Sequence, residues 1–529
     1  MKTRRIPLSH IYAALTGAML TAACPPLNLY PLAWIGLIPL FHALKNSSGG
    51  GFGEGFAAGF VFNLGILYWL AFNTGADLSL ALFTMFSTVM ILALGWGTAA
   101  WLFKRILERV GAIAWLLIPF SWTAWEGALS HLGELSFPWP LLALTQARFD
   151  SVLQIMEYTG TGGVTFWVAS ANVIVFLTLL QDTRSLRIAA RLCLIPLFAI
   201  PLLADLHARL AYRHPYPKVR VMAVQGNIPP ELKWLQGAET SWAVYDSLTR
   251  SDSSLKPALV VWPETALPAN LLYQSIYYYY LSRLADETGA CILTGASDYS
   301  RVSEERRPLN ASFLIKPGEG VVQRGAKLML VPFGERVPFQ WIAPQLGNLN
   351  FGQAEFLPGL YQTLFRLKAD RANLVFPAMV CYESAFPEIS RQAVLKGANL
   401  LTTISNDAWY GWSSEASQIV ALSRFRCIET RRGMVRASNS GTSFICDHFG
   451  HILATTGLYV PATASGEIAL LDVQTFFVAH GELFTAIVTG LFGLMLIIFS
   501  FSRQHHLSDA KTDESASAVS FTKSHNDCL

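Results

Sequence analysis

The sequence predicts a chain living in two environments: a multi-pass α-helical membrane bundle of about eight helices, joined to a water-facing α/β domain in which sheets are faced by helices. Three observations predict it. Residues 11–211 and 484–502 hold long uncharged runs while 212–480 read like a soluble protein, within an overall composition of 52% hydrophobic and 14% charged residues. The Lys and Arg residues of the apolar part gather at alternate connections. From Lys218 onward, short β-rich runs alternate with stretches of helical length.

A helix needs about 20 mostly apolar residues to cross the hydrocarbon core. Segments meeting that pattern fall near 11–25, 28–44, 55–75, 79–102, 110–127, 163–181, 188–208 and 483–502. Pro25 and Pro26 divide the first two, and the second is short, so a hairpin that only dips into the bilayer is the alternative there. Thr21-Ala22-Ala23-Cys24 follows an apolar run with Lys2, Arg4 and Arg5 in front, as in a signal peptide, but further apolar segments follow at once and an uncleaved first helix is expected. The basic residues 2, 4, 5, 45, 104, 105, 109, 184, 187, 191 and 503 then fall on one face, which the positive-inside rule makes cytoplasmic. The connections 25–30, 73–77 and 126–162 carry almost no Lys or Arg and share the opposite face with residues 212–482. The expected division is therefore a membrane bundle over 1–211, a catalytic domain over 212–480 outside the cytoplasm, a last membrane helix over 481–503 and a disordered cytoplasmic tail over 504–529.

Composition also excludes. The net charge of +3 with no basic stripe argues against nucleic acid. Seven cysteines with no CxxC pair and no Cys/His ligand spacing argue against a zinc site or a disulfide framework, so no metal is expected. No GxGxxG follows a strand and no GxxxxGK[ST] occurs, so no nucleotide cofactor is expected either.

In the water-facing part, strands are expected at 219–225, 258–262, 290–295, 312–315, 321–324, 327–331, 374–380, 400–405, 435–438, 443–446, 452–455 and 467–471. Helices are expected at 270–288, 387–396 and 415–432. Many strands are separated by tight turns rather than helices, which favours a sheet sandwich over a doubly wound sheet. Three places carry chemistry. Glu264 follows an apolar strand and a Pro in Val261-Trp262-Pro263-Glu264. Lys327 heads an apolar run that ends in Pro332-Phe333-Gly334-Glu335, a setting that desolvates a cation and suits it to stabilising developing negative charge. Cys381 ends an apolar strand before a helical stretch opening at Pro387, where helix amides and a cation can activate a thiol. Together they supply a base, an electrophilic stabiliser and a nucleophile.

At these residues the chain resembles the nitrilase, or carbon–nitrogen hydrolase, superfamily, which implies an αββα sandwich and a Glu264–Lys327–Cys381 triad. The run Val224-Gln225-Gly226-Asn227 with Trp234, the run Ser405-Asn406-Asp407-Ala408-Trp409, and Phe137-Pro138-Trp139 upstream, set in a membrane frame, are similar to the apolipoprotein N-acyltransferase family over about residues 10–502. Gly325, Met329, Arg336 and Ile419 depart from that family's pattern without touching the triad. The resemblance implies a cofactor-free, two-step acyl transfer through a Cys381 thioester, from a phospholipid donor to the α-amino group of a diacylglyceryl apolipoprotein at a bacterial inner membrane. It also implies that Glu335 positions Lys327 or the acceptor amine, that Tyr382 offers a backbone N–H to the oxyanion, and that Glu383, Trp234, Asn406 and Trp139 support the site or contact substrate. Phe333, Phe339, Trp341 and Phe351 are read as lids or lipid-facing arms, with core packing as the alternative. A membrane-tethered amidase that passes its acyl group to water is the competing activity. A transporter is disfavoured because no ionisable residue lies well inside the expected spans.

Overall fold

The computed structural model of the protein describes residues 7–180, 184–235, 237–252, 256–302, 305–339, 355–369 and 372–501. The expected lid residues Trp341 and Phe351, the basic residues Lys2, Arg4, Arg5 and Arg503, and the 504–529 tail lie outside them.

Among the described residues, five helical stretches are long and apolar enough to cross a membrane: Phe52–Phe72, Leu78–Ser130, Thr161–Leu180, Arg184–Ala211 and Leu483–Ser500. The second holds two expected spans. Its Leu78–Val110 helix ends at Gly111, whose φ of +64° is left-handed and favours glycine, and a 3₁₀ segment Gly111–Leu117 leads into the Ile118–Ser130 helix. Leu8–Ala23 is an apolar helix of 16 residues. The span expected at 28–44 is broken into a 3₁₀ turn, Tyr30–Trp34, and a short helix, Ile38–Asn46. Backbone groups freed inside a bundle need other partners, and neighbouring side chains supply them. Asn172 donates through Nδ2 to the Ala33 carbonyl and accepts the Leu37 N–H through Oδ1, while Thr16 Oγ1 accepts the Leu40 N–H.

Two expectations about this half are corrected. Residue 126 does not open a connection: Glu126 is buried in the Ile118–Ser130 helix, where its carboxylate accepts from Trp122 Nε1, the Leu142 N–H and Thr165 Oγ1. The bundle therefore does contain a buried carboxylate, and these donors satisfy it as a staple between segments. Trp139, in the connection that follows, is only 2% exposed, and its indole N–H donates to Gln418 Oε1 at 2.6 Å.

The water-facing half is a pair of sheets. In the first, the strands β13 (Ala462–Ala469), β1 (Lys218–Gln225), β2 (Leu259–Val261), β4 (Cys291–Val302), β5 (Glu305–Lys316) and β6 (Gly320–Ala326) follow one another in that order, and β3 (Leu267–Asn270) pairs with β4. In the second the order is β12 (Ile452–Thr455), β11 (Phe444–Cys446), β10 (Met434–Ser438), β9 (Leu401–Ser405), β8 (Ala372–Val380) and β7 (Leu364–Ala369). Val221, Val261, Leu293, Phe376, Ile404 and Val435 meet between the sheets as one apolar core. The Gly237–Ser251 and Ser275–Thr288 helices cover the first sheet, and Pro387–Leu395 and Glu415–Thr430 cover the second. The layers therefore run helix, sheet, sheet and helix, the αββα sandwich that was expected.

The Glu415–Thr430 helix also joins the halves. Cys427 packs with the second sheet, whereas Ile419, Leu422 and Phe425 belong to the apolar core of the membrane bundle. Sandwiched on both sides, it buries nearly every residue, arginines included, and arginines in and just past it reach across. Arg424 binds the Ala147 carbonyl and Asp150, and Arg431, just past the helix end, binds Glu157 and Gln154.

The strand expected at Lys327–Val331 is absent. Leu328 and Met329 donate their N–H groups to the Glu383 carboxylate instead of to a neighbouring strand, so the chain leaves the sheet after β6.

Candidate active site

Glu264, Lys327 and Cys381 arrive from three strand ends and line one pocket of about 100 Å³. Glu264 follows β2 by a turn in which Gly295 of β4 is indispensable: a Cβ there would lie 2.5 Å from the Thr265 nitrogen and 2.8 Å from Glu264 Cα. The Glu264 carboxylate is held by Asn310 Nδ2 at 2.6 Å, the Asn406 N–H at 3.1 Å and Lys327 Nζ at 3.5 Å. It is thereby aimed into the pocket without being neutralised by a tight ion pair.

Lys327 follows β6, with its N–H still bonded to the Asn310 carbonyl and its side chain 1% exposed. Its ammonium lies 2.9 Å from the Glu335 carboxylate, which also accepts the Val331 N–H. Burial by itself would lower the ammonium, but Glu335 and Glu264 outweigh it and raise Lys327 well above its ordinary value, so it stays charged.

Cys381 ends β8 with φ at +52°, a left-handed conformation that costs a non-glycine residue on the order of 1–3 kcal/mol. The turn Cys381–Ala385 that follows is clamped by Glu383, whose carboxylate accepts the Val380 N–H at 2.7 Å as well as those of Leu328 and Met329. Glu383 thus ties the nucleophile's loop to the lysine's loop. Burial pushes Glu383 up to about 7, against the pull of those N–H groups and of Lys327. The Cys381 thiol is raised far above its ordinary value, first by burial and then by Glu264, with Lys327 opposing. At neutral pH it is therefore a protonated thiol whose ionisation the Glu264 carboxylate opposes.

The other candidate residues divide. Tyr382 lies directly behind the thiol; its hydroxyl donates to the Ser136 carbonyl at 2.8 Å, and its ring stacks on Phe137 and Trp139 and meets Phe386 edge-on. Trp139 therefore backs Tyr382 rather than lining the pocket. Asn406 contributes its backbone N–H to Glu264, while its side-chain oxygen accepts from Asn439. The side chain of Trp234 lies outside the described residues. Phe333 lines the pocket, and the Phe339 N–H is bonded to Glu134 of the membrane half.

Sequence reading missed three groups. Asn310 sits mid-strand in β5 and bridges Glu264 and Glu335 through Nδ2. Lys233 is fully buried and donates to Thr265 Oγ1 at 3.0 Å and, at 3.4 Å, to the Glu264 carbonyl; burial pulls it down to about 8. The pocket's far wall is the third: Leu70, Gly75, Ala81 and Thr84, contributed by the membrane half, close the site opposite the triad. A buried amide inside a strand, a buried lysine on a short helix and scattered residues of the membrane half leave no pattern that composition or spacing could mark.

A Glu, a Lys and a Cys meeting between the two sheets, with a bundle helix as one wall, define a membrane-attached enzyme of the carbon–nitrogen hydrolase class. Comparison with known proteins agrees: residues 220–476 match the carbon–nitrogen hydrolase family, and residues 16–174 match the apolipoprotein N-acyltransferase N-terminal domain. Apolipoprotein N-acyltransferase from Geobacter metallireducens is 32% identical over 94% of this chain and 96% of its own. The enzyme of that name from Chlorobaculum tepidum is 31% identical over 90% and 92%, and that of Pseudomonas aeruginosa strain UCBPP-PA14 is 28% identical over 94% and 96%. The chain belongs to the apolipoprotein N-acyltransferase family.

Proposed function

We propose that this enzyme moves a fatty acyl chain from a phospholipid to the α-amino group of an N-terminal S-diacylglyceryl-cysteine, through a thioester on Cys381. The observation that carries the reading is the pocket itself. Its floor is Glu264, Lys327 and Cys381, and its opposite wall, Ala81 and Thr84, belongs to a helix long enough to cross the bilayer, so an acyl chain can run from lipid to thiol without crossing water.

In the first half-reaction Glu264 takes the proton of Cys381 Sγ as the sulfur attacks the ester carbonyl carbon. The oxyanion that forms is stabilised by Lys327 Nζ and the Tyr382 N–H. The carbon–oxygen bond to glycerol then breaks, the leaving oxygen takes the proton from Glu264, and a lysophospholipid departs. In the second, the acceptor amine gives a proton to Glu264 and attacks the thioester; the carbon–sulfur bond breaks, the amide remains, and the Cys381 sulfur recovers the proton. A pocket of this size bordered by Leu70, Val331 and Phe333 limits water, which favours the amine over hydrolysis. The charge pattern of the connections supports a site on the periplasmic side, with both termini in the cytoplasm.

The test is mass spectrometry of purified enzyme after incubation with phospholipid alone. An acyl adduct on Cys381, absent in Cys381→Ser, is expected, followed by its transfer to a diacylglyceryl peptide when that is added. Release of free fatty acid at the same rate with and without the peptide would assign the chain to the amidase-type hydrolases instead.

A further inference from the structure

The Leu78–Val110 and Ile118–Ser130 helices are consecutive yet pack on different partners, the first on Phe52–Leu67 and the second on Thr161–Leu180 and Leu483–Phe501. The wedge left between them is a cavity of about 780 Å³. Its walls are apolar, with Trp125, Phe492 and Leu496 among them, and they include Leu117 at one end and Ala128 at the other. At about 1.5 Å per residue that is roughly 16 Å, the depth of one leaflet.

The end near Leu117 has different chemistry. Arg105 and Arg109, one turn apart, both line the cavity there. Neither has a carboxylate within ion-pair distance among the described residues, because the nearby Glu108 faces the buried Lys104. Two unneutralised guanidinium groups at the mouth of an apolar, leaflet-deep groove match one ligand chemistry: a phosphodiester joined to acyl chains.

We propose that this wedge is a binding site for an anionic glycerophospholipid, with the phosphate between Arg105 and Arg109 and an acyl chain lying along Trp125 towards Phe492. It is separate from the catalytic pocket. Ala81 lines that pocket, and 24 residues of the same helix, about 36 Å, separate it from Arg105. That distance spans the hydrocarbon core, so a lipid held here belongs to the opposite leaflet and cannot be the molecule that reacts at Cys381.

The test is native mass spectrometry of detergent-purified full-length protein after exchange with equal amounts of palmitoyl-oleoyl phosphatidylglycerol and palmitoyl-oleoyl phosphatidylcholine. Wild type is expected to retain the anionic lipid at least about 3-fold over the zwitterionic one. R105Q/R109Q should bring that ratio to about 1, and Ala124→Phe, which fills the apolar wall, should reduce retention of both lipids. An unchanged melting temperature shows that each variant is folded. Equal retention of the two lipids by wild type, or a preference that survives R105Q/R109Q, overturns the proposal, and neither outcome depends on acyl transfer.

Discussion

The hydroxyl of Tyr382, the residue that follows the nucleophile, donates to the backbone carbonyl of Ser136, a residue of the membrane half, at 2.8 Å. The loop bearing Cys381 is thus fixed from two sides. Glu383 ties it to the Lys327 loop, and Tyr382 ties it to the segment between bundle helices. Tyr382→Phe keeps the stacking on Phe137 and Trp139 and removes only this bond. A net loss of about 1 kcal/mol is expected, seen as a roughly 5-fold fall in kcat with little change in KM. Tyr382→Ala also removes the ring and should cost considerably more, with a lower melting temperature.

Lys327→Met leaves Glu264 and Glu335 facing each other in a buried site with no cation between them. Removing one partner of a buried ionic group typically destabilises by about 3–5 kcal/mol, and losing an oxyanion donor costs about 10²–10³ in kcat. Both should appear, as a fall in melting temperature and in single-turnover acylation of Cys381. Glu335→Gln keeps the shape while removing one negative charge. It should retain more activity than Lys327→Met, and the opposite ranking would refute the positioning role given to Glu335.

The state of the thiol gives a signed pH prediction. Cys381 is held protonated by burial and then by Glu264. Its alkylation by iodoacetamide should therefore be slow near pH 7 and rise only on the alkaline side of an ordinary thiol. Glu264→Gln removes a negative charge that opposes the thiolate, so the alkylation profile should move to lower pH even as acyl transfer collapses for want of a base. Parallel loss of alkylation and transfer would mean that Glu264 does not act through its charge.

How much of this was legible in the sequence depends on what each residue type can signal. Glu264, Lys327 and Cys381 stood out because the acid and the thiol close apolar strands and the cation heads an apolar run, where polar residues need a reason. The strand expected at Lys327–Val331 failed because its hydrophobic run is a loop bonded to Glu383, a partner 55 residues downstream of Leu328. The strand Leu364–Ala369 was not among those expected, although its burial alternates with period two around the charged Arg366 and Lys368. The break at Tyr30–Trp34 was hinted at by Pro25 and Pro26, but its repair by Asn172 could not be foreseen. The burial of Arg424 in the Glu415–Thr430 helix was invisible for the same reason: its partners Ala147 and Asp150 lie in the other half of the chain.

Lys233 tests whether a residue that touches only the Glu264 turn matters to the reaction. Its folded value, about 8, lies below the roughly 10.4 of an unfolded lysine. Between these values the unfolded chain binds the extra proton, so stability rises with pH across that window and is penalised below it. Lys233→Met should abolish this rise, which amounts to at most about 3 kcal/mol, in melting temperatures measured from pH 7.5 to 10. It also removes the donor to Thr265 Oγ1 and the Glu264 carbonyl, so kcat should fall while KM holds. Retention of full kcat would make the lysine purely structural.

The ion pair of Arg431 with Glu157 decides whether the halves are fastened or merely adjacent. Arg431 is fully buried; its Nε lies 2.7 Å from Glu157 Oε2, its Nη1 reaches Gln154 Oε1, and its guanidinium covers the ring of Tyr212, whose hydroxyl also donates to Glu157. Arg431→Met strands a buried carboxylate with no full positive charge beside it, leaving Tyr212, Tyr158 and the half-exposed His207, at 3.6 Å, as polar neighbours. The expected cost is about 3–5 kcal/mol. Adding Glu157→Gln removes the stranded charge and should recover much of that loss. A double variant no more stable than Arg431→Met would show that the arginine acts through its packing on Tyr212 and Phe449, not through its charge.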